Sequence, residues 1–188
     1  MSTRSNIYLL LKPSKRERKV KFDINKLPKS KRATCVLNYP IKDVTIPNNA
    51  TYMGVYHHWD GYIDGLGEEL LKHYKSYKRV LNLLTMGDLS TILRDVKSYQ
   101  GCNNEDCVPR FGIENTLTPE NACREEYAYL FDGKKWWVSS LEYDEVTDKC
   151  FITEWRELAP EVKIAVAKHK EWVKQYRAKH KQERKENK

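Results

Sequence analysis

Long apolar runs are missing from this 188-residue chain. Stretches such as Ile7–Leu11 fall far short of the roughly 20 residues that span a bilayer, which excludes a membrane-spanning helix. Glycine and proline are sparse, at 8 and 7 residues, so the chain is neither collagenous nor a Gly/Pro-rich low-complexity polymer. Cysteine is present in an odd number, five, which weakens a disulfide framework. The polar start Met1–Asn6 lacks the apolar stretch and cleavage site of a secretory signal. Ser2 and the terminal Glu-Asn-Lys match no lipidation signal. A protein kept in a cytoplasm is the expectation. Aromatics are not scarce: 5 Trp, 12 Tyr and 4 Phe argue for a packed core over disorder.

The net charge of +8 is unevenly spread. Residues 12–32 hold seven Lys and three Arg against Glu17 and Asp23, a local +8. Residues 160–188 hold eight Lys and two Arg against four Glu, a local +6. Between them, residues 33–159 carry 13 basic and 20 acidic side chains, a local −7. The pattern is an acidic body with two basic flanks. Such flanks attract phosphate, whether of nucleic acid, a nucleotide or a phosphorylated partner, or an acidic protein; they also solubilise a helix face or a loop. Lys15, Arg16, Arg18, Lys19, Lys29, Lys31 and Arg32 are the candidate electrostatic contacts. Pro13 and the surrounding charge give residues 12–32 the composition of a mobile arm, with a strand resuming near Val20.

Local patterns predict a single α+β domain with an antiparallel sheet over 1–176, with 177–188 as a charged, frayed tail. Strands are expected at Ile7–Leu11, Thr34–Tyr39, Val44–Ile46 and Thr51–Trp59. Alternation places Met53, Val55, His57 and Trp59 on one face and Tyr52, Gly54, Tyr56 and His58 on the other. Two short helices follow, the first capped by Asp64 with Leu66, Leu70, Leu71 and Tyr74 inward. The second buries Val80, Leu83 and Leu84 and closes at Gly87, and Asp88 is expected to open a further helical turn. Asp132-Gly133 between Tyr127–Phe131 and Trp136–Tyr143 is a hairpin, and Cys150–Trp155 completes a three-strand antiparallel meander. After Pro160 an apolar stripe through Val162, Val166, His169, Val173 and Tyr176 predicts a long amphipathic helix, and a homo-oligomer seam is one use of it.

Chemistry-bearing residues concentrate at Tyr56–Tyr62. His57, His58, Trp59 and Tyr62 are ligand-binding candidates, and His58 with Asp60 would be the acid–base or metal pair of an enzyme. His57 and His58 are neighbours in a strand, so they point apart and do not share an ion. A core role for one His and for Trp59, with a simple turn at Asp60-Gly61, is the structural alternative. Lys134 and Lys135 beside an outward Trp of the Trp136-Trp137 pair are a second candidate surface, for stacked bases. Cys102, Cys107 and Cys123 are weak zinc ligands, because no second closely spaced pair completes a site. No resident metal or cofactor is expected. The Walker and Rossmann fingerprints, the Gly-x-Ser-x-Gly elbow and the aromatic RNA-binding motif are missing.

His58-Trp-Asp-Gly-Tyr62, Gly67, Leu70-Leu-Lys-His-Tyr74 and Gly87-Asp-Leu-Ser90, with Glu126–Gly133 and a following Trp, resemble a pattern in small uncharacterised bacteriophage and prophage proteins. The resemblance covers about a third of the chain, and the basic segment 12–32 departs from it. It implies a viral or mobile-element setting, hence a host cytoplasm, where small accessory proteins antagonise host defence. It carries no catalytic residues. A non-enzymatic binding protein for nucleic acid, a nucleotide signal or an acidic host protein is the leading expectation, and a nucleotide-directed phosphodiesterase or nuclease the alternative.

Overall fold

The structure, a computed structural model, describes residues 3–37, 40–100, 107–112, 126–147 and 149–186, without the side chains of 149–150 and 182–186. The strands are β1 (Ser5–Leu10), β2 (Arg18–Val20), β3 (Cys35–Val36), β4 (Val44–Ile46), β5 (Tyr52–His57), β6 (Leu89–Thr91), β7 (Val96–Ser98), β8 (Arg110–Gly112), β9 (Tyr127–Phe131), β10 (Trp136–Asp144), β11 (Lys149–Ile152) and β12 (Arg156–Glu157). The helices are α1 (Lys29–Arg32), α2 (Glu68–His73), α3 (Tyr77–Leu84) and α4 (Leu158–Glu186), and a π turn at Ile63–Gly67 leads into α2. The domain is α+β.

One sheet runs in the order β11-β10-β9-β1-β5-β6-β7-β3, with β12 beside β10 and β8 beside β5. The meander β9-β10-β11 and the pair β1–β5 are antiparallel, but β1–β9, β5–β6 and β3–β7 are parallel, so the sheet is mixed. β1 lies at its centre and is buried on both sides up to Leu9, which is why it reads as a continuous apolar run.

One sheet face carries Ile7, Leu9, Met53, Val55, Tyr129 and Phe131 and packs against Leu70, Val80, Leu83 and Leu84 of α2 and α3 and Leu158 and Val162 of α4. At roughly 25 cal/mol per Å² this face supplies most of the apolar burial. The opposite face holds a smaller cluster of Tyr8, Tyr52, Ala128 and Leu130 with Trp137, Leu141, Ile152 and Trp155. Of the tryptophan pair, Trp136 is buried and donates from Nε1 to the Tyr74 carbonyl at 2.8 Å. The hairpin turn forms as expected. Gly133 adopts φ +96°, and the Asp132 carboxylate accepts from the Lys134 and Lys135 amides at 2.7 and 2.8 Å.

Two local expectations change. Asp88 opens no helix; residues 89–91 are β6, paired to β5 through His57–Leu89. The Asp88 carboxylate serves tertiary partners instead of a helical amide, accepting from the Tyr56 amide at 2.8 Å and from both terminal nitrogens of Arg110 at 3.0 and 2.8 Å. Asp64 is not a helix cap either, because the π turn places Tyr62 at that position.

Segment 12–32, read as a mobile arm, folds onto the domain. β2 pairs antiparallel with β4, Leu27 is buried, and Asn82 grips the Asp23 backbone through bonds of 2.8 and 3.0 Å. Lys31 is buried: its ammonium lies 2.8 Å from Glu69 Oε1 and also donates to the Leu93 carbonyl. A charge count cannot distinguish such a structural lysine from a solvated one, since the partner carboxylate lies 38 residues away in sequence. At the other end of the chain, α4 continues through the charged segment to Glu186.

Candidate functional site

β1 and β5 run antiparallel with Leu10 opposite Tyr52, so the chain leaving β1 and the chain entering β5 lie side by side. The Leu11 amide donates to the Thr51 carbonyl at 2.9 Å and closes that end of the ladder. Beyond it the two segments diverge and leave a cleft of about 560 Å³. Leu10, Leu11, Ala50 and Thr51 line it, Pro13, Ser14 and Lys15 form one wall, and Asn48 and Asn49 form the other. Leu10 is the one β1 residue left exposed, at 37%. A half-open apolar floor between amide and ammonium groups has the composition of a small-ligand site.

The basic segment brings one cation, Lys15, to the cleft wall and others beside it in sequence. Ser14 ties the turn, donating to the Arg16 carbonyl at 2.7 Å and accepting from the Arg16 amide at 3.2 Å. Lys15, Arg16 and Lys19 are exposed, and no carboxylate among the described residues pairs with them. Lys29 is also exposed, on α1. Their neighbours have structural duties. The Arg18 guanidinium donates to the Lys12 carbonyl, that of Arg32 donates to the Leu27 and Asn25 carbonyls, and Lys31 is buried against Glu69. The seven cations picked from sequence therefore divide into four that face solvent and three held by the fold.

The Tyr56–Tyr62 block lies at the opposite end of β1 and β5, where Ser5 pairs with His57. Alternation separates the two histidines as expected. His57 is fully buried toward the helices, with Nδ1 3.4 Å from Ser5 Oγ and Nε2 buried without a partner among the described residues. Burial, with a smaller contribution from His58, pushes its pKa down to about 3, so the ring is neutral at physiological pH. His58 is half-buried on the other side, its Nδ1 2.7 Å from the Tyr56 hydroxyl and its ring edge-on to Trp59 and Tyr99 at 4.7 and 6.1 Å. Partial burial and then the Arg4 cation lower its pKa as well.

Trp59 and Tyr62 are exposed, at 48% and 40%. Between them Asp60 adopts φ +58°, a conformation its short polar side chain tolerates. Gly61 lies so close to β1 that a Cβ there would sit 2.8 Å from both the Thr3 carbonyl and Ser5 Oγ. Its amide donates to Thr3 at 2.9 Å and its carbonyl accepts from the Tyr129 hydroxyl at 2.8 Å. Asp60-Gly61 is thus a tightly tethered turn, while the His58 amide donates to the Leu89 carbonyl at 3.0 Å and its ring meets Tyr56, Trp59 and Tyr99.

On the hairpin, Trp137 is the outward tryptophan. Its Nε1 donates to Asp132 at 2.9 Å, and the Lys135 ammonium lies 4.8 Å from its ring centre and 2.6 Å from Glu157. Lys135 is thereby engaged, while Lys134 is exposed. Cys102 and Cys123 lie outside the described residues; Cys107 is half-buried, and its carbonyl accepts from the Asp88 amide at 2.9 Å. Among the described residues no group of three or more His, Cys, Asp and Glu is placed to hold a metal ion. No described helix is long and apolar enough to cross a membrane.

Comparison with protein-family models, with curated proteins and with solved structures finds no match. Sequence reasoning reached Lys15 but missed Leu10, Asn48 and Asn49. Pro47-Asn48-Asn49 carried only a strand-stop signal, and nothing local announces that it faces residues 10–15 across the ladder.

Proposed function

We propose that this chain is a non-enzymatic binding protein whose ligand is a phosphate-bearing nucleotide, free or within single-stranded nucleic acid, held in the cleft beside the basic segment. The observation that carries the reading is that Lys15, exposed and without a carboxylate partner among the described residues, lines the 560 Å³ cleft, with the exposed cations Arg16 and Lys19 following it on the same segment. Its apolar floor suits a base. The side-chain amides of Asn48 and Asn49 offer donors and acceptors together, which matches the mixed pattern of a base edge. Lysine and arginine supply the phosphate contact. The acidic body repels a polyanion and leaves the two basic flanks favoured, and the 12–32 flank is the one that borders this cleft. The resemblance of the His58–Tyr62 block to phage and prophage proteins supports a mobile-element setting, in which such binding would serve antagonism of host defence.

Thermal unfolding with ATP, and separately with twelve-residue oligothymidylate, tests this and separates the two sources of the ligand. At one hundred times Kd, binding stabilises the fold by about 2.7 kcal/mol. The double variant Lys15→Glu, Arg16→Glu is expected to weaken binding at least tenfold, and Asn49→Trp, which fills the cleft from an exposed position, to abolish the shift. Failure of both ligands to raise the midpoint overturns the proposal.

One observation favours a second reading, hydrolysis at His58. The lowered pKa leaves the ring unprotonated at neutral pH, as a general base requires, beside the Tyr56 hydroxyl. His58→Ala would then abolish turnover of a phosphodiester substrate with the melting midpoint unchanged. A loss of stability without any turnover to lose makes the ring structural.

A further inference from the structure

α4 joins the body through one face and then leaves it. Leu158 and Val162 are buried in the core, and Val166 packs against it. His169 Nδ1 lies 2.7 Å from Asp64 Oδ2. The next three turns carry the same face outward, about 16 Å of helix from His169 to His180. Trp172 is 59% exposed and Tyr176 51%.

This face keeps its spacing where the core ends. Positions 162, 166, 169, 173, 176 and 180 follow steps of four and three, the seam of a helix that packs against another helix. The rings along it interlock. Trp172 and Tyr176 stack with centroids 5.4 Å apart and planes at 27°, while His169 meets Trp172 and His180 meets Tyr176 edge-on at 6.0 and 4.2 Å. Because the rings pack on one another, they form a continuous ridge and offer little open face for an intercalating base. A ridge at heptad spacing fits the groove between side chains of a second helix.

Charge selects which helix. From 168 to 181 six basic side chains stand against Glu171. Lys170 and Arg177 flank the seam on one side and Lys179 on the other, the positions that set partner choice in paired helices. A second copy would bring the same cations against them in either orientation. Acidic flanks would complement them.

We infer that the α4 seam of His169, Val173, Tyr176 and His180, with Trp172 beside it, docks an acidic amphipathic helix of a partner protein. The surface lies at the end of β1 opposite the nucleotide cleft, since His169 meets Asp64 just beyond the turn that is tied to Thr3, whereas the cleft begins at Leu10. It is independent of the nucleotide reading, and both surfaces can be occupied together.

The probe is a synthetic three-heptad peptide with Leu at a and d and Glu at e and g, titrated into the full-length protein by calorimetry and tryptophan fluorescence. Saturable one-to-one binding is expected, weakened at least tenfold in Trp172→Ala, Tyr176→Ala. The variant Lys170→Glu, Arg177→Glu, Lys179→Glu should lose this peptide and gain its counterpart with Lys at e and g. All five positions are on the projecting helix, so unchanged melting midpoints confirm that the fold is intact. Three results overturn the inference: no binding of the acidic peptide, a dimer in light scattering that Trp172→Ala, Tyr176→Ala dissociates, or displacement of the peptide by oligothymidylate.

Discussion

Asp88→Ala is expected to destabilise the domain by about 3–5 kcal/mol, the cost of removing one partner from a buried charged pair. The Asp88 side chain is 9% exposed and accepts three hydrogen bonds, one from the Tyr56 amide and two from Arg110. It joins the end of β5 to β6 and β8, so its loss strips an acceptor from a strand amide and a bidentate partner from a guanidinium at once. Burial raises the Asp88 pKa first and foremost, and the Tyr56 amide and Arg110 oppose that rise. Burial thus charges a desolvation penalty that the three donors offset. Asp88→Asn keeps an acceptor for Tyr56 and should fall between wild type and Asp88→Ala. In a double-mutant cycle with Arg110→Met, chemical denaturation should show the two losses to be less than additive. Additive losses would show that the pair does not act as a unit.

Acid sensitivity should trace to His57. Its folded pKa of about 3 lies below the ordinary 6.5, so between these values the unfolded chain binds a proton that the native chain does not. Stability is therefore complete above about pH 6.5 and declines as pH falls toward 3, by at most about 1.4 kcal/mol per pH unit from this residue. Moving from pH 7.5 to pH 5 should cost about 2 kcal/mol, or several degrees in melting midpoint. His57→Leu removes the titration and should flatten most of that slope. His58 and His73, whose pKa values are also lowered, contribute in the same direction but more weakly, because water screens them. An unaltered slope in His57→Leu would refute the assignment.

Much of the local architecture was legible because its signals are local. Strand alternation sends His57 inward and His58 outward, Asp132-Gly133 turns the meander, and the stripe from Val162 onward forms a helix that buries its first turns. What escaped the sequence depends on pairings between distant segments. The parallel register of β1 with β9, 122 residues apart, makes the sheet mixed and leaves no periodic trace. Ser90 and Thr91 read as helix-compatible, yet the ladder with β5 and β7 makes them a strand. The basic segment looked mobile because its anchors are Leu27 and the distant Asn82 and Glu69, none of them visible in a charge count. At the cleft, composition identified the cations and topology supplied the floor and the amides.

The central claim is that Lys15, in the wall of the Leu10–Asn49 cleft, binds phosphate together with Arg16 and Lys19, the exposed cations that follow it in the segment. The direct measurement is an equilibrium titration of fluorescent single-stranded oligothymidylate by fluorescence anisotropy from 50 to 200 mM salt, for wild type and for Lys15→Ala, Arg16→Ala, Lys19→Ala. For single strands the slope of log K against log salt is about −0.7 for each phosphate neutralised, so three contacts give a slope of about −2. The account expects such a slope in the wild type and a nearly flat line in the triple variant. A wild-type affinity that ignores salt, or a triple variant that binds as the wild type does, would contradict it.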